Sequence, residues 1–539
     1  MNSRDLALTN GYIAIVLHAH LPFVRHPEYP DFLEEDWLFE AITETYIPLL
    51  ITLNSLIKDG IDFRITISMS SPLCEMLSNA LLKDRYSAKL QELIRLSESE
   101  LERHKNDDFY DVAKMYNSFF HNVYDVYEND FNRDIISAFR GLQDAGRVEI
   151  ITSSATHAIL PFIISKSALK AQIIVAVSNY EKYFGRKPKG IWLPECGYFE
   201  GLEELLVENG IQYFFIDAHG ILNASPTPLY QTFSPIRTPA GVVAFGRDIE
   251  SSKQVWSAKD GYPGDYNYRE FYRDIGYDAD YDYIKPFLHS DGIRRNVGIK
   301  HFRITGNVSL NEKQIYNPIA ATNRASMHAS NFIFNRQHQL KHISSTFNMQ
   351  DMKPIVVAPY DAELFGHWWF EGPTFLDFLF RELSCGQNEV STITPSEYIS
   401  KYGNLPISTP STSSWGDKGY FEVWLNSKND WIYRHLHKAE EQMIMLANTY
   451  KSTNGGSLII RALNQCSREL LLSQSSDWAF IMTTGTAPAY AHKRFSEHIH
   501  RFTKLYEQII SNNIDEKFLS EIESKDTIFQ EIDYRVFCS

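Results

Sequence analysis

Cysteine is scarce in this chain of 539 residues. Five are present, Cys74, Cys196, Cys385, Cys466 and Cys538. They are scattered and odd in number and form no C-x-x-C pair, which excludes a disulfide framework and a zinc knuckle. Long apolar runs are also missing. None approaches the roughly 18 residues of a membrane span, so no membrane partner is expected. The first ten residues carry no extended apolar core. Residues 13–17 are too short for a leader and run straight into histidines, so the expected location is cytoplasmic. Basic charge is in deficit: 52 Lys and Arg against 67 Asp and Glu give a net −15. Such a chain is a poor partner for nucleic acid. The sequence has no P-loop, no G-x-G-x-x-G and no G-x-S-x-G elbow, and no cofactor is called for. Internal repeats and low-complexity tracts are absent as well.

What the chain does have is length, apolar residues and aromatics. Hydrophobic residues make up 44%, enough for a sizeable core, and the length suits one large catalytic domain with a smaller one. Aromatics reach 14%, with 30 Tyr, 34 Phe and 9 Trp. Beside acids, Tyr and Trp suit a surface that stacks on sugar rings and bonds their hydroxyls.

Short apolar runs recur at residues 11–17, 63–69, 148–151, 190–193, 213–217, 242–245 and 355–358. Each leads into a polar exit, and helical patterns such as 37–59 and 165–184 separate them. Strand, polar exit and helix in alternation predict an α/β fold, a closed or nearly closed parallel barrel with its active residues at the carboxyl ends of the strands. His18, His20, His157, Glu195, Asp217, Asp248 and Asp361 fall there. Residues 73–145 are charged and helical in period and read as an insertion. Residues 406–419, rich in Ser, Thr, Gly and Pro, mark a boundary. Helical patterns follow at 432–448, 464–478 and 492–512. The expected domains are therefore 1–400, catalytic, and 401–539, helical.

Two of the strand exits share a design. Ile191-Trp192-Leu193-Pro194-Glu195 and Ala358-Pro359-Tyr360-Asp361 each end an apolar run on an acid flanked by aromatics. A retaining glycosidase needs two such carboxyls about 5–5.5 Å apart, one a nucleophile and one an acid that becomes a base. Acids from different strands can meet across a barrel mouth. The plain alternative for each acid is a helix cap or an ion-pair partner. A second alternative is a metal centre: His18, His20 and His157 with Asp217 or Glu195 offer zinc or iron ligands, as a polysaccharide deacetylase would. The loop after Asp361, with Glu363, His367, Trp368 and Trp369, fits sugar stacking better.

In order along the chain, His18-Ala19-His20-Leu21-Pro22, Gly146-Arg147-Val148-Glu149-Ile150 with His157, Trp192-Leu193-Pro194-Glu195 and Ala358-Pro359-Tyr360-Asp361-Ala362-Glu363 resemble the motifs of glycoside hydrolase family 57. Glu35 to Leu50, Trp415-Gly416 and Ser475-Ser476-Asp477-Trp478 resemble its 1,4-alpha-glucan branching enzymes. The resemblance covers almost the whole chain. It implies an incomplete (β/α)7 barrel, an inserted helical region at about 73–145 and a C-terminal all-helical domain. It implies Glu195 as nucleophile and Asp361 as acid/base, with no metal. It places His18, His157, Trp37, Trp415 and Trp424 in or near the glucan grooves. Further candidate contacts are His20, His367, Trp368, Asp477, and Arg269 from the tyrosine-rich stretch 262–283. Tyr230 matches a loop tyrosine that favours transfer over hydrolysis, although Phe233 stands where a second tyrosine is expected. The implied partner is an alpha-glucan such as amylose, glycogen or starch. The alternatives are an alpha-amylase or 4-alpha-glucanotransferase with the same acids, or a non-catalytic glucan-binding protein.

Overall fold

A computed structural model describes residues 9–257, 261–349, 351–387, 389–454 and 457–539. Most of the N-terminal stretch read above for a leader lies outside them. Its strands are β1 (Gly11–Ala19), β2 (Ile65–Met69), β3 (Val148–Ile151), β4 (Gly190–Ile191), β5 (Tyr213–Ile216), β6 (Ile236–Arg237), β7 (Val243–Gly246), β8 (Ile355–Asp361) and β9 (Val390–Thr392). One sheet runs β3-β2-β1-β8, with β9 also on β1, and a second runs β4-β5-β7-β6. Every pairing is parallel except β6 on β7. Two narrow seams join the sheets. At one, Trp192 N–H donates to the Thr152 carbonyl at 2.8 Å, and at the other Asp248 N–H donates to the Val357 carbonyl at 2.8 Å. Seven parallel strands (β1, β2, β3, β4, β5, β7 and β8) thus curl into the expected incomplete (β/α)7 barrel.

Side chains alternate across each strand, and the core divides accordingly. Ile13, Ile15 and Leu17 of β1 face the surrounding helices. Tyr12, Ala14 and Val16 face the lumen with Ile151, Trp192, Phe215, Phe245 and Val357. The same parity carries His18 and His20, Asp361, Asp217 and Arg247 to the lumen's mouth. Strand β8 continues through Pro359, where the apolar run predicts a break. The Val357 carbonyl turns away from β1 toward Asp248. Pro359, two residues on, shares that direction, so its missing N–H costs the β1 ladder nothing. Gly190 is required at the start of the β4 run, because a Cβ there would lie 2.3 Å from the Tyr213 ring.

The insertion is four helices, Ser71–Ser78, Ala80–Arg103, Tyr110–Asp125 and Ile135–Asp144. Its Tyr116, Phe120 and Tyr127 are buried in the main core. The helix expected at 37–59 is interrupted by a π turn at Ile42–Tyr46. Five C-terminal helices span Trp431–Thr449, Leu458–Ser473, Ser476–Thr484, Pro488–Ile510 and Glu516–Lys525. One continuous apolar core links barrel, insertion and these helices, from Ile13 to Phe537. Residues 406–419 lie along the second sheet through bridges Arg237–Ile407, Ser225–Thr409 and Tyr198–Ser413. Among the described residues no helix is long and apolar enough to cross a membrane, and all five cysteines are free.

Candidate active site

After β4 the chain makes a tight turn, Pro194–Cys196, in which Glu195 and Cys196 take left-handed conformations (φ 60° and 52°). His157, beyond β3, does the same at φ 57°. For side chains with a Cβ each such position costs of order 1–3 kcal/mol, and the packing around it must hold it there. Here it aims Glu195 across the mouth. The Trp415 indole N–H donates to Glu195 Oε2 at 2.8 Å, and the Ser476 hydroxyl donates to Oε1 at 3.0 Å. The Trp415 backbone N–H also donates to the Glu195 carbonyl at 2.9 Å.

The histidines form one stack beside this acid. His18 lies flat on Trp192, centroids 4.7 Å apart, and His20 on His157 at 3.8 Å. His18 Nε2 meets His157 Nε2 at 2.9 Å, and its Nδ1 meets Ser68 Oγ at 3.1 Å. His157 Nδ1 meets Ser476 Oγ at 2.8 Å and lies 3.8 Å from Glu195 Oε1. His20 Nδ1 meets Ser70 Oγ at 2.8 Å, and its Nε2 meets Asp477 Oδ2 at 3.0 Å. Burial, with the neighbouring rings, holds His18 and His157 well below the usual histidine range, so both are neutral. Burial works against the charge of Asp477, but His20, which bonds it, outweighs burial and holds that carboxyl at about 2.

Asp361 sits at the end of β8, in register with His18. Burial, then the negative charge of Glu363, pushes its carboxyl up to about 7. Burial also pushes Glu195 up to about 7, opposed by its Trp415 and Ser476 donors and assisted by the charges of Asp477 and Asp361. The acids therefore feel one another across the mouth. Among the described residues no side chain or backbone group donates a hydrogen bond to the Asp361 carboxylate. Glu363 accepts from the Tyr46 hydroxyl and from His20 N–H, and burial lifts it to about 7 as well.

The sequence profile of glycosyl hydrolase family 57 matches residues 14–301, and that of the 1,4-alpha-glucan branching enzyme C-terminal region matches residues 435–537. A 1,4-alpha-glucan branching enzyme of Thermococcus kodakarensis is 36% identical over 97% of this chain and 78% of its own. The chain belongs to glycosyl hydrolase family 57. Among solved structures, an alpha-amylase of Thermotoga maritima is 45% identical with a TM-score of 0.91, covering 98% of this chain and 99% of its own. A family 57 branching enzyme of Pyrococcus horikoshii is 35% identical with a TM-score of 0.88, covering 98% of this chain and 97% of its own.

Of the residues the sequence nominates in this family 57 chain, Glu195, Asp361, His18, His20, His157, Trp415 and Asp477 meet at the mouth. Others lie further out or beneath. Trp37 stands edge-on to Tyr490 at 5.8 Å. Trp368 is exposed and stacks on Phe271 at 4.4 Å. His367 Nδ1 meets Glu44 Oε2 at 3.0 Å. Tyr230 packs edge-on to Phe347 at 6.2 Å. Two expectations need correcting. Arg269 is no rim residue: it is 4% exposed, 2.5 Å from Glu44, and lies over the Phe370 ring. Its charge is consumed by a buried carboxylate. Trp424 is 2% exposed and packs beneath Gly416. It supports the Trp415 turn from below, because an indole buried on both faces has no surface left for a sugar.

Several site residues escaped the sequence reading: Ser476 and Ser68 as hydroxyl partners, Trp192 as a platform, Tyr46 on the π turn, and Arg247, whose charge acts on Asp361. Arg247 had a usable signal, the parity of β7. Ser476 had only its place beside Asp477.

Proposed function

We propose that this family 57 protein is a 1,4-alpha-glucan branching enzyme working by retaining double displacement. Glu195 attacks the anomeric carbon of an internal alpha-1,4 bond while Asp361 protonates the departing oxygen. The cut chain is then held as a glucosyl ester on Glu195. Asp361, now a carboxylate, takes the proton from the 6-hydroxyl of an acceptor glucan, whose oxygen displaces Glu195 and forms an alpha-1,6 branch. The observation that carries these roles is the uneven distribution of donors. Two hydrogen bonds favour ionised Glu195. Asp361 accepts none and faces Glu363, which favours its protonated form.

His20, His157, Trp415 and Asp477 line the sugar at the cleaved bond in this reading. Trp37, His367 and Trp368 lie along the outer path of the chain. Residues 1–400 supply the acids, and residues 401–539 supply the donors of Glu195. Water competes with the acceptor hydroxyl, so the cover over Glu195 matters. Trp415 provides it, with Trp256 6.3 Å beyond. The setting we infer is cytoplasmic storage-glucan synthesis of the glycogen kind, in keeping with five unpaired cysteines.

Hydrolysis is the second reading, because the alpha-amylase of Thermotoga maritima shares 45% of its residues with this chain. Incubation with amylose separates the two. New alpha-1,6 linkages with little reducing sugar support branching. Mainly new reducing ends, without branches, overturn it.

A further inference from the structure

The helix Ala80–Arg103 of the insertion ends at His104. Glu100 and His104 are one turn apart and share a face. His301 reaches the same point from the segment beyond β7. His104 Nε2 lies 3.3 Å and His301 Nε2 3.2 Å from Glu100 Oε2. All three residues are buried, at 0%, 8% and 5% exposure for Glu100, His104 and His301. Yet Glu100 Oε2, His104 Nε2 and His301 Nε2 all lack a hydrogen-bond partner. Buried polar atoms are rarely left this way, and here three of them converge.

Their outer contacts show why a proton does not serve. His104 Nδ1 lies 2.8 Å from Asp107 Oδ2. A carboxylate accepts from a ring N–H, so in the neutral ring that proton sits on Nδ1 and Nε2 turns a lone pair inward. The outer oxygen of Glu100, Oε1, accepts from Tyr283 at 2.6 Å and Arg103 at 3.1 Å, leaving Oε2 to face inward. An imidazole lone pair of His104 against a carboxylate oxygen repels unless a cation lies between them.

We propose that Glu100, His104 and His301 bind one divalent transition metal ion of the zinc class, fastening the helical insertion to the segment that carries His301. Two imidazole nitrogens and one carboxylate oxygen are a zinc donor set, with a fourth place for water. Bonds of about 2.0–2.1 Å in a tetrahedron set ligand atoms about 3.3 Å apart, which is the spacing from Glu100 Oε2 to each imidazole nitrogen, and all three atoms lie within 4.8 Å of one another. Asp107 is the outer partner that fixes the His104 ring. The ion is structural, since its ligands take no part in the barrel mouth. Two other His–carboxylate clusters differ. In His20, His157 and Asp477 the facing nitrogens are already bonded, to Asp477 and to His18. In Glu469, His498 and Asp526, the guanidinium groups of Arg494 and Arg501 already supply the cation.

The test uses the full-length, untagged protein, stripped with EDTA and dialysed against zinc. Metal content and zinc affinity are measured for the wild type, His301→Ala and Asp107→Ala, with folding checked by circular dichroism. The wild type should retain one zinc per chain and gain thermal stability with zinc, and His301→Ala should lose both. Asp107 is exposed, so Asp107→Ala should fold normally and bind zinc about 10–100-fold more weakly. Cobalt in place of zinc should give the visible bands of a tetrahedral site, absent in Glu100→Gln. A stripped wild type that takes up no zinc overturns the proposal. So do His301→Ala and Asp107→Ala binding zinc as tightly as wild type, which would place the ion at another cluster.

Discussion

Glu195 and Asp361 face each other from two halves of one barrel, and their supports are built differently. Glu195 is held in a left-handed turn and takes its donors from Trp415 and Ser476, 220 and 281 positions further along the chain. Asp361 ends a regular strand whose neighbour is β1, and its company is another carboxylate, Glu363, braced by the π turn through Tyr46. Gly366 lets that loop close on the π turn, since a Cβ there would lie 1.8 Å from the Glu44 carbonyl. Burial raises both acids alike, so burial alone cannot assign them roles. The donors do: one acid is stabilised as an anion, and the other is left to keep its proton.

Removing either acid is the severest break. Glu195→Gln and Asp361→Asn should each lower kcat on amylose by about 10³-fold or more while glucan binding is kept. The variants should part on an activated glucosyl fluoride, whose leaving group needs no acid. Asp361→Asn should still release fluoride in a first burst, and Glu195→Gln should not.

The support on the Asp361 side can be broken without touching either acid. Burial works against the charge of Glu44, but Arg269 and His367 outweigh it and hold that carboxyl at about 2. Arg269→Met leaves buried Glu44 with His367 as its remaining charged partner, at up to about 3–5 kcal/mol of stability. The unfolding midpoint in urea should fall accordingly. An unchanged midpoint would return Arg269 to the rim.

Trp415→Phe sharpens the other side. It removes a charge-assisted hydrogen bond of about 1.5–3 kcal/mol, so activity should fall about 10–100-fold. The bond favours ionised Glu195. Its loss raises that pKa, and the acid limb of the kcat/KM profile should move to higher pH. The smallest effect is Glu363→Gln. Glu363 raises Asp361, so removing its charge lowers that pKa, and the proton is lost earlier as pH rises. The alkaline limb should move to lower pH, by less than a unit. Movement of the acid limb instead would exchange the roles.

Much of this frame was legible in residue order. The period-2 alternation of β1, β7 and β8 sets which side chains reach the lumen, so His18, His20 and Asp361 could be placed on the mouth from pattern alone. Glu195 was legible as a strand-end acid, but its left-handed turn was not, because no glycine marks it. Ser476 and Trp415 became partners of Glu195 only through tertiary packing across hundreds of residues. Arg269 misled because a charge in a tyrosine-rich stretch reads as surface, and only its pairing with Glu44 shows it buried. The π turn left no signal in a pattern that reads as one continuous helix.

Trapping the glycosyl-enzyme tests the central claim most directly. Asp361→Asn is incubated with a maltosyl fluoride, and the protein is analysed by intact mass and peptide mapping. The account predicts one glycosyl ester, on Glu195. An ester on another carboxyl such as Glu363, or steady turnover of the fluoride with Glu195 unmodified, would contradict it.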